Sequence, residues 1–217
     1  ALTNTGLVLA WGENSAGQLA DGTLTQRAYP VYVRSNSQTM IGNITSIAAR
    51  GAASIAVRSD GRVLGWGSTL IATPLDEDSD DTTAIDRSEA SYAKPLSDGE
   101  GHAITNIRRI ALGYSHMLGL TLDGRVNGWG SNSNGQLGDG TNFTVTGTST
   151  VKLSNGQPLR NVSEITVGSI HSIALLHDGQ VLTWGSGENG RLGDGTNIDS
   201  YYAVNARDIN NNPFLLY

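Results

Sequence analysis

Apolar residues recur along this chain in short alternating runs, separated by glycine-rich polar links. The fullest stretch, from Ile165, reads "ITVGSIHSIALLHDGQVLTWG". Ile165 and Val167 alternate with polar neighbours and predict a short strand that stops at Gly168. Ser172 to Leu176 predict a second strand, and Val181 to Trp184 a third. Between them "HDGQ" (His177 to Gln180) predicts a two-residue hairpin, with Asp-Gly supplying a type I′ turn. Tyr201 to Val204 predict a fourth strand after a glycine-rich link. No apolar run approaches the ~20 residues of a membrane-spanning helix, so no membrane span is expected.

The pattern repeats. "NTGLVLAWG" (Asn4 to Gly12), "SDGRVLGWG" (Ser59 to Gly67) and "LDGRVNGWG" (Leu122 to Gly130) align with the turn and third strand above. The four tryptophans, Trp11, Trp66, Trp129 and Trp184, are each followed by Gly and are spaced 55, 63 and 55 residues apart. Four short strands per unit at this period predict the blades of a β-propeller. The units run approximately over 1–35, 44–98, 104–153 and 162–205. In "GQLGDG", Gly135, Gly138 and Gly140 are expected to take backbone angles that a Cβ disfavours, as are Gly190, Gly193 and Gly195 in the fourth unit. Leu137, Leu192 and Leu19 are expected to plug the space between neighbouring blades. These links are not phosphate cradles: no P-loop signature occurs, and they follow strands without leading into helices.

"GYSHMLGLTLDGRVNGWGSNSNGQLGDG" (Gly113 to Gly140) and "GSIHSIALLHDGQVLTWGSGENGRLGDG" (Gly168 to Gly195) resemble the repeat of the regulator of chromosome condensation family. The resemblance covers nearly the whole chain. It implies an all-β propeller, seven-bladed in the best-known members, of which about four four-stranded blades are visible here. Ala1-Leu2-Thr3 aligns with Ala174-Leu175-Leu176, so the first blade is expected to lack its inner strand. "NNPFLLY" aligns with "GQPLRNV" (Gly156 to Val162), just ahead of a new inner strand. The chain is therefore expected to be a segment of a larger propeller, or one that assembles with other copies through open blade edges. Ala1 stands where an initiator Met would, which predicts a processed or trimmed start.

The second unit mark, Trp66, is not followed by "GQLGDG". A polar insertion over 68–102 takes its place, with five acidic residues between Asp76 and Asp81. Asp76, Asp78 and Asp80 have the alternating spacing of a calcium loop, yet Asp81 stands where an EF-hand has Gly and Arg87 where it has Glu. A solvated loop, a calcium site and a protein-binding epitope are the three readings of this segment. No other cofactor is expected.

Charge and composition narrow the function classes. The net charge of −6 and the lack of any Lys/Arg run speak against nucleic acid as a partner. The densest basic spot, Arg108-Arg109, lies in a predicted strand. Cys is absent, which excludes disulfides, thiolate zinc sites and thiol catalysis. Among the histidines, His116 and His171 share one place in the repeat, where the unit at Trp66 is read to have Ser54, so a structural role is expected. His102 falls in the insertion and His177 in a turn. No hydrolase or zincin motif occurs, and the recurring Asp21, Asp139 and Asp194 read as turn-bonding carboxylates. Asn43, Asn142 and Asn161 open glycosylation triplets of little weight.

The expectation is a non-enzymatic protein-binding or structural module. The Asn/Thr/Ser/Gly-rich composition with few Lys points to a secreted or surface protein of bacteria, with a cytoplasmic alternative. Family precedents are guanine-nucleotide exchange on a small nuclear GTPase with chromatin binding, and a secreted bacterial inhibitor of β-lactamases. The first stands as an alternative, as does an enzyme with a site on the propeller face.

Overall fold

Alternation within the strands decides the architecture, because each strand must bury both of its faces. The computed structural model describes residues 1–68, 92–98, 100–144 and 147–216. The first unit pairs β1 (Leu9–Gly12) with β2 (Arg27–Tyr32). The second stacks β3 (Ile44–Arg50), β4 (Ala53–Arg58), β5 (Val63–Gly67) and β6 (Lys94–Pro95) in that order. The third follows the same order with β7 (Ile107–Leu112), β8 (His116–Thr121), β9 (Val126–Gly130) and β10 (Ser149–Thr150). The fourth uses β11 (Val162–Val167), β12 (His171–Leu176), β13 (Val181–Gly185) and β14 (Ser200–Asn205). The pairings among these strands are antiparallel, while an isolated bridge between Leu153 and Ala203 is parallel. The chain is an open, partial β-propeller. Among the described residues its first unit shows no inner strand, and its second strand is a bridge between Leu2 and Val8.

Three cores lie between the sheets. In β4, Ile55 and Val57 point to the third unit and join Ile107, Ile110, Met117 and Trp129. Ala56 points the other way, to Val8, Val33, Leu64 and Trp66. Leu118 and Leu120 of β8 likewise meet Val162, Ala174, Leu182 and Trp184 of the fourth unit. A period of two thus feeds two cores from one strand. Backbone bonds stitch the same seams: Gly6, Gly61 and Gly124 carbonyls accept from Ile44, Ile107 and Val162 at 3.0–3.1 Å.

Two local expectations need correction. The turns at Asp60-Gly61, Asp123-Gly124 and Asp178-Gly179 are not type I′. Only the glycines have positive φ (79°, 76° and 87°), and each glycine N–H bonds back three residues. This is a type I turn closed by a left-handed glycine, one residue longer than the predicted loop. Aspartate keeps an ordinary backbone and uses its side chain instead, as Asp178 Oδ1 does in accepting from the Gln180 amide at 3.1 Å. The second concerns the insertion. β6 lies inside it, and a Ser97–Ala103 bridge, with the Asp98 amide donating to the His102 carbonyl at 2.9 Å, closes a hairpin there. That hairpin recurs as Arg34–Met40, Lys152–Pro158 and Arg207–Pro213, so it belongs to the repeat. Asp76, Asp78 and Asp80 lie outside the described residues.

Candidate interaction face and the seams beneath it

Antiparallel order sends the loops of every unit to two opposite faces. One face carries the turns between inner and second strands together with the long links between third and outer strands. The other carries the Asp-Gly turns and the hairpins between units.

The long links are rigid for a reason the sequence hid. Asn14 and Asn132 are fully buried. Asn132 Oδ1 accepts from the Leu137 amide at 2.9 Å, and Nδ2 donates to the Thr141 and Phe143 carbonyls at 3.2 and 3.1 Å and to Asp139 Oδ1 at 3.2 Å. Asn14 repeats this with Leu19, Thr23, Thr25 and Asp21. Gly187 replaces it in the fourth unit, where its own amide donates to Asp199 at 2.9 Å. Burial by itself would raise Asp139, but bonds from the Ser149 and Thr141 hydroxyls, the Thr141 amide and Asn132 outweigh it and hold the carboxyl below its usual range. Asp21 is lowered in the same way, burial being opposed by bonds from Thr23 and Arg27.

The predicted repeat residues fall as follows. Trp66, Trp129 and Trp184 are buried, whereas Trp11 is 53% exposed because no sheet covers its side of β1 within the described residues. Trp66 and Trp184 donate their indole N–H to the Gln18 and Gln136 carbonyls of the preceding unit, both at 2.9 Å. Trp129 instead donates to Thr148 Oγ1 of its own unit at 3.2 Å. Leu137 is fully buried over Gly128 of its own third strand. The residues beside it make the contact with the next unit: a Cβ on Gly138 would lie 2.7 Å from the Trp184 ring, at a φ of 68°. Gly135, Gly140, Gly190, Gly193 and Gly195 also have positive φ, and Leu192 is buried.

His116 and His171 stand opposite Gly130 and Gly185. The residue opposite Gly67 is Ala53, so Ala53 and not Ser54 is their counterpart; Ser54 matches Ser172, each facing its unit's tryptophan. His116 Nε2 lies 3.0 Å from Ser172 Oγ, which donates to the Gln136 carbonyl at 2.8 Å. This chain of bonds joins the third and fourth units. Burial, then the positive influence of His171 and Arg50, pushes His116 down to about 4. His171 is also lowered, by burial first and then by Arg191. Asn43 and Asn161 have φ of 58° and 64°, and Asn106, in the same place but outside any glycosylation triplet, has 62°. A left-handed backbone ahead of each inner strand explains these asparagines.

The inner strands present few titratable groups to solvent. The exposed residues of the inner strands are Thr45, Ile47, Ala49 and Arg50, then Arg109, then Glu164 and Thr166, with Arg109 and Glu164 paired at 3.1 Å. No group of carboxylates or histidines converges there among the described residues. The loops at the long-link end carry exposed apolar side chains: Leu24, Tyr114 (75%), Phe143 (72%) and Ile198 (72%). The Arg50 guanidinium lies 6.0 Å from the centre of the Tyr114 ring. Trp, Tyr, Phe and Arg are the residue types that dominate protein–protein contacts. Sequence reasoning missed this patch, because the residues are far apart in the chain; the signal was the matching position of Phe143 and Ile198 after "GDGTN".

Comparison with known proteins agrees with the architecture. The regulator of chromosome condensation (RCC1) repeat model matches residues 5–57, 123–175 and 178–214, and a second model of that repeat matches 107–136. Protein pim1 of Schizosaccharomyces pombe is 31% identical over 91% of this chain and 37% of its own length. The ultraviolet-B receptor UVR8 of Arabidopsis thaliana is 27% identical over 92% of this chain and 53% of its own. The human E3 ubiquitin-protein ligase HERC2 is 31% identical over 90% of this chain, but this is 4% of HERC2. This chain thus spans about half or less of the curated relatives it matches. Among solved structures, human WBSCR16 superposes with a TM-score of 0.73 at 24% identity, covering 96% of this chain and 50% of that one. Yeast RCC1 (Prp20), solved bound to Kap60, gives 0.65 at 22% identity, covering 96% and 46%. With the repeat model matched along most of its length and the blades in place, this chain belongs to the regulator of chromosome condensation repeat family.

Proposed function

We propose that this chain is a non-catalytic, protein-binding propeller segment whose partner docks on the face of the long links. The observation that carries the reading is the exposed set Leu24, Tyr114, Phe143 and Ile198 on the loops of one face of the scaffold. The Asn14 and Asn132 hubs hold the links in one conformation, so little ordering free energy opposes binding. Yeast RCC1, whose fold this chain shares, binds Kap60.

The insertion enters the same reading through its charge. Residues 69–91 contain seven acidic residues and one basic one, which equals the whole net charge of −6, and they join β5 to β6 as the long links join their counterparts. Protein binding with a basic partner surface follows from that charge. Calcium binding at Asp76, Asp78 and Asp80 is the lesser reading of it.

The test is quantitative affinity purification from the source cells with the wild type and a Tyr114→Ser/Phe143→Ser/Ile198→Ser variant. Specific partners should be lost from the variant while its far-UV circular dichroism and unfolding midpoint stay the same. Retention of every partner would refute the face assignment. A second reading, a regulator of a small GTPase, rests on family membership; it predicts faster release of a fluorescent guanine nucleotide from such a GTPase. Association of copies through the open side of β1 predicts a solution mass that is a multiple of 22.8 kDa. Secretion at a bacterial surface gains no support from the relatives named above, which come from a yeast, a plant and human; cell fractionation decides between it and the cytoplasm.

A further inference from the structure

The hairpin between β6 and β7 departs from its three counterparts in one respect. At positions 98, 100 and 102 it carries Asp98, Glu100 and His102. The same register holds Ser35, Ser37 and Thr39 in the first unit, Leu153, Asn155 and Gln157 in the third, and Asp208, Asn210 and Asn212 in the fourth. Only this hairpin sets an imidazole beside two carboxylates.

We propose that Asp98, Glu100 and His102 bind a zinc-like divalent transition-metal ion. One ligand atom from each lies within 4.8 Å of the others. His102 Nδ1 stands 3.5 Å from Asp98 Oδ1 and 3.6 Å from Glu100 Oε2, too long for hydrogen bonds. Ligand–ligand edges of roughly 3.3–3.6 Å are those of a tetrahedral site with metal–ligand bonds of ~2.0–2.2 Å. Asp98 is held ready. Its Oδ1 accepts from the Glu100 and His102 amides at 3.0 and 2.9 Å, and its Oδ2 from Thr148 Oγ1 at 3.2 Å. The carboxylate is buried, while Glu100 and His102 are exposed and free to close on an ion.

A second feature marks the place. Glu100 borders a polar cleft of about 690 Å³ that also takes in Asp139, Thr148, Ser149, Thr150 and Lys152. The cleft lies at the seam between the second and third units, where the second unit lacks the "GQLGDG" link. Three protein ligands, with a cleft beside Glu100, suit an ion that keeps a water or a partner's side chain as its fourth ligand. Calcium is disfavoured, because it needs 6–8 oxygen ligands and here one of three donors is nitrogen.

The test is isothermal titration of the full chain with Zn²⁺, and visible absorption with Co²⁺, for the wild type, His102→Ala, Glu100→Gln and His177→Ala. One ion per chain with a tetrahedral cobalt spectrum is expected. His102→Ala should weaken binding by more than about tenfold, the least that loss of even an outer-shell partner causes. His177→Ala should bind as the wild type does. No binding by the wild type, or equal binding by His102→Ala, would overturn the proposal; the second outcome would move the ion elsewhere, to the acidic residues of the insertion.

Discussion

Mild acid should destabilise this protein through a single buried imidazole. His116 is fully buried, and Ser172 Oγ, its one hydrogen-bond partner, spends its own proton on the Gln136 carbonyl. The hydroxyl can therefore only accept from His116, which fixes the proton on Nε2. A second proton would have to sit on Nδ1, which is buried with no partner. Burial, with His171 and Arg50 nearby, brings the folded pKa to about 4, against ~6.5 in an unfolded chain. Between those values the unfolded chain holds more protons. Stability from this group is thus complete above pH ~6.5 and is lost as pH falls towards the folded value. At ~1.4 kcal/mol per pKa unit, the loss by pH ~4.5 is about 2.5 kcal/mol, a sizeable part of a typical ~5–15 kcal/mol. Urea unfolding of the wild type and His116→Gln at pH ~7 and ~4.5 measures it. Glutamine keeps an N–H donor for Ser172 and does not titrate. The carboxylates contribute to both proteins and cancel. The wild type should lose about 2.5 kcal/mol more than the variant between the two pH values; equal losses would refute the buried neutral histidine.

Other consequences can be measured with the same unfolding assay. Trp184→Ala should cost about 3–5 kcal/mol, while Trp11→Ala, at the same place in its unit but 53% exposed, should cost less than about 1 kcal/mol. Asn132→Ala strands the buried Leu137 amide and should cost about 2–4 kcal/mol, with faster hydrogen exchange at that amide; an unchanged exchange rate would contradict the hub. Asp139 has its folded pKa depressed, so its contribution is present above the unfolded value of ~3.9 and is lost as pH falls through the folded one. Asp139→Asn should then flatten the stability profile below pH ~4.

The blade period was legible because it rests on covalent facts: a Trp-Gly pair every 55 or 63 residues and strict alternation before it. What escaped was whatever depends on one unit meeting the next. Asn132 looks like an ordinary loop residue, and only its repeated offset of five from leucine, as in Asn14 and Leu19, hinted at a buried hub. The hairpins between units share length but no composition, so β6 and the hairpin closed by the Ser97–Ala103 bridge were absorbed into the insertion. Asp-Gly serves both type I′ and glycine-closed type I turns, and the dipeptide cannot tell them apart. The exposed loop residues Leu24, Tyr114, Phe143 and Ile198 share one end of the fold but are kept apart by sequence distance.

Docking on the long-link face is the central claim, and site-specific photo-crosslinking in the source cells tests it most directly. A benzophenone side chain placed at Tyr114 or Phe143 should yield discrete crosslinked protein species, whereas one at His177, in an Asp-Gly turn on the opposite face, should not. Crosslinks from His177 alone would place the partner on the wrong face and contradict the account.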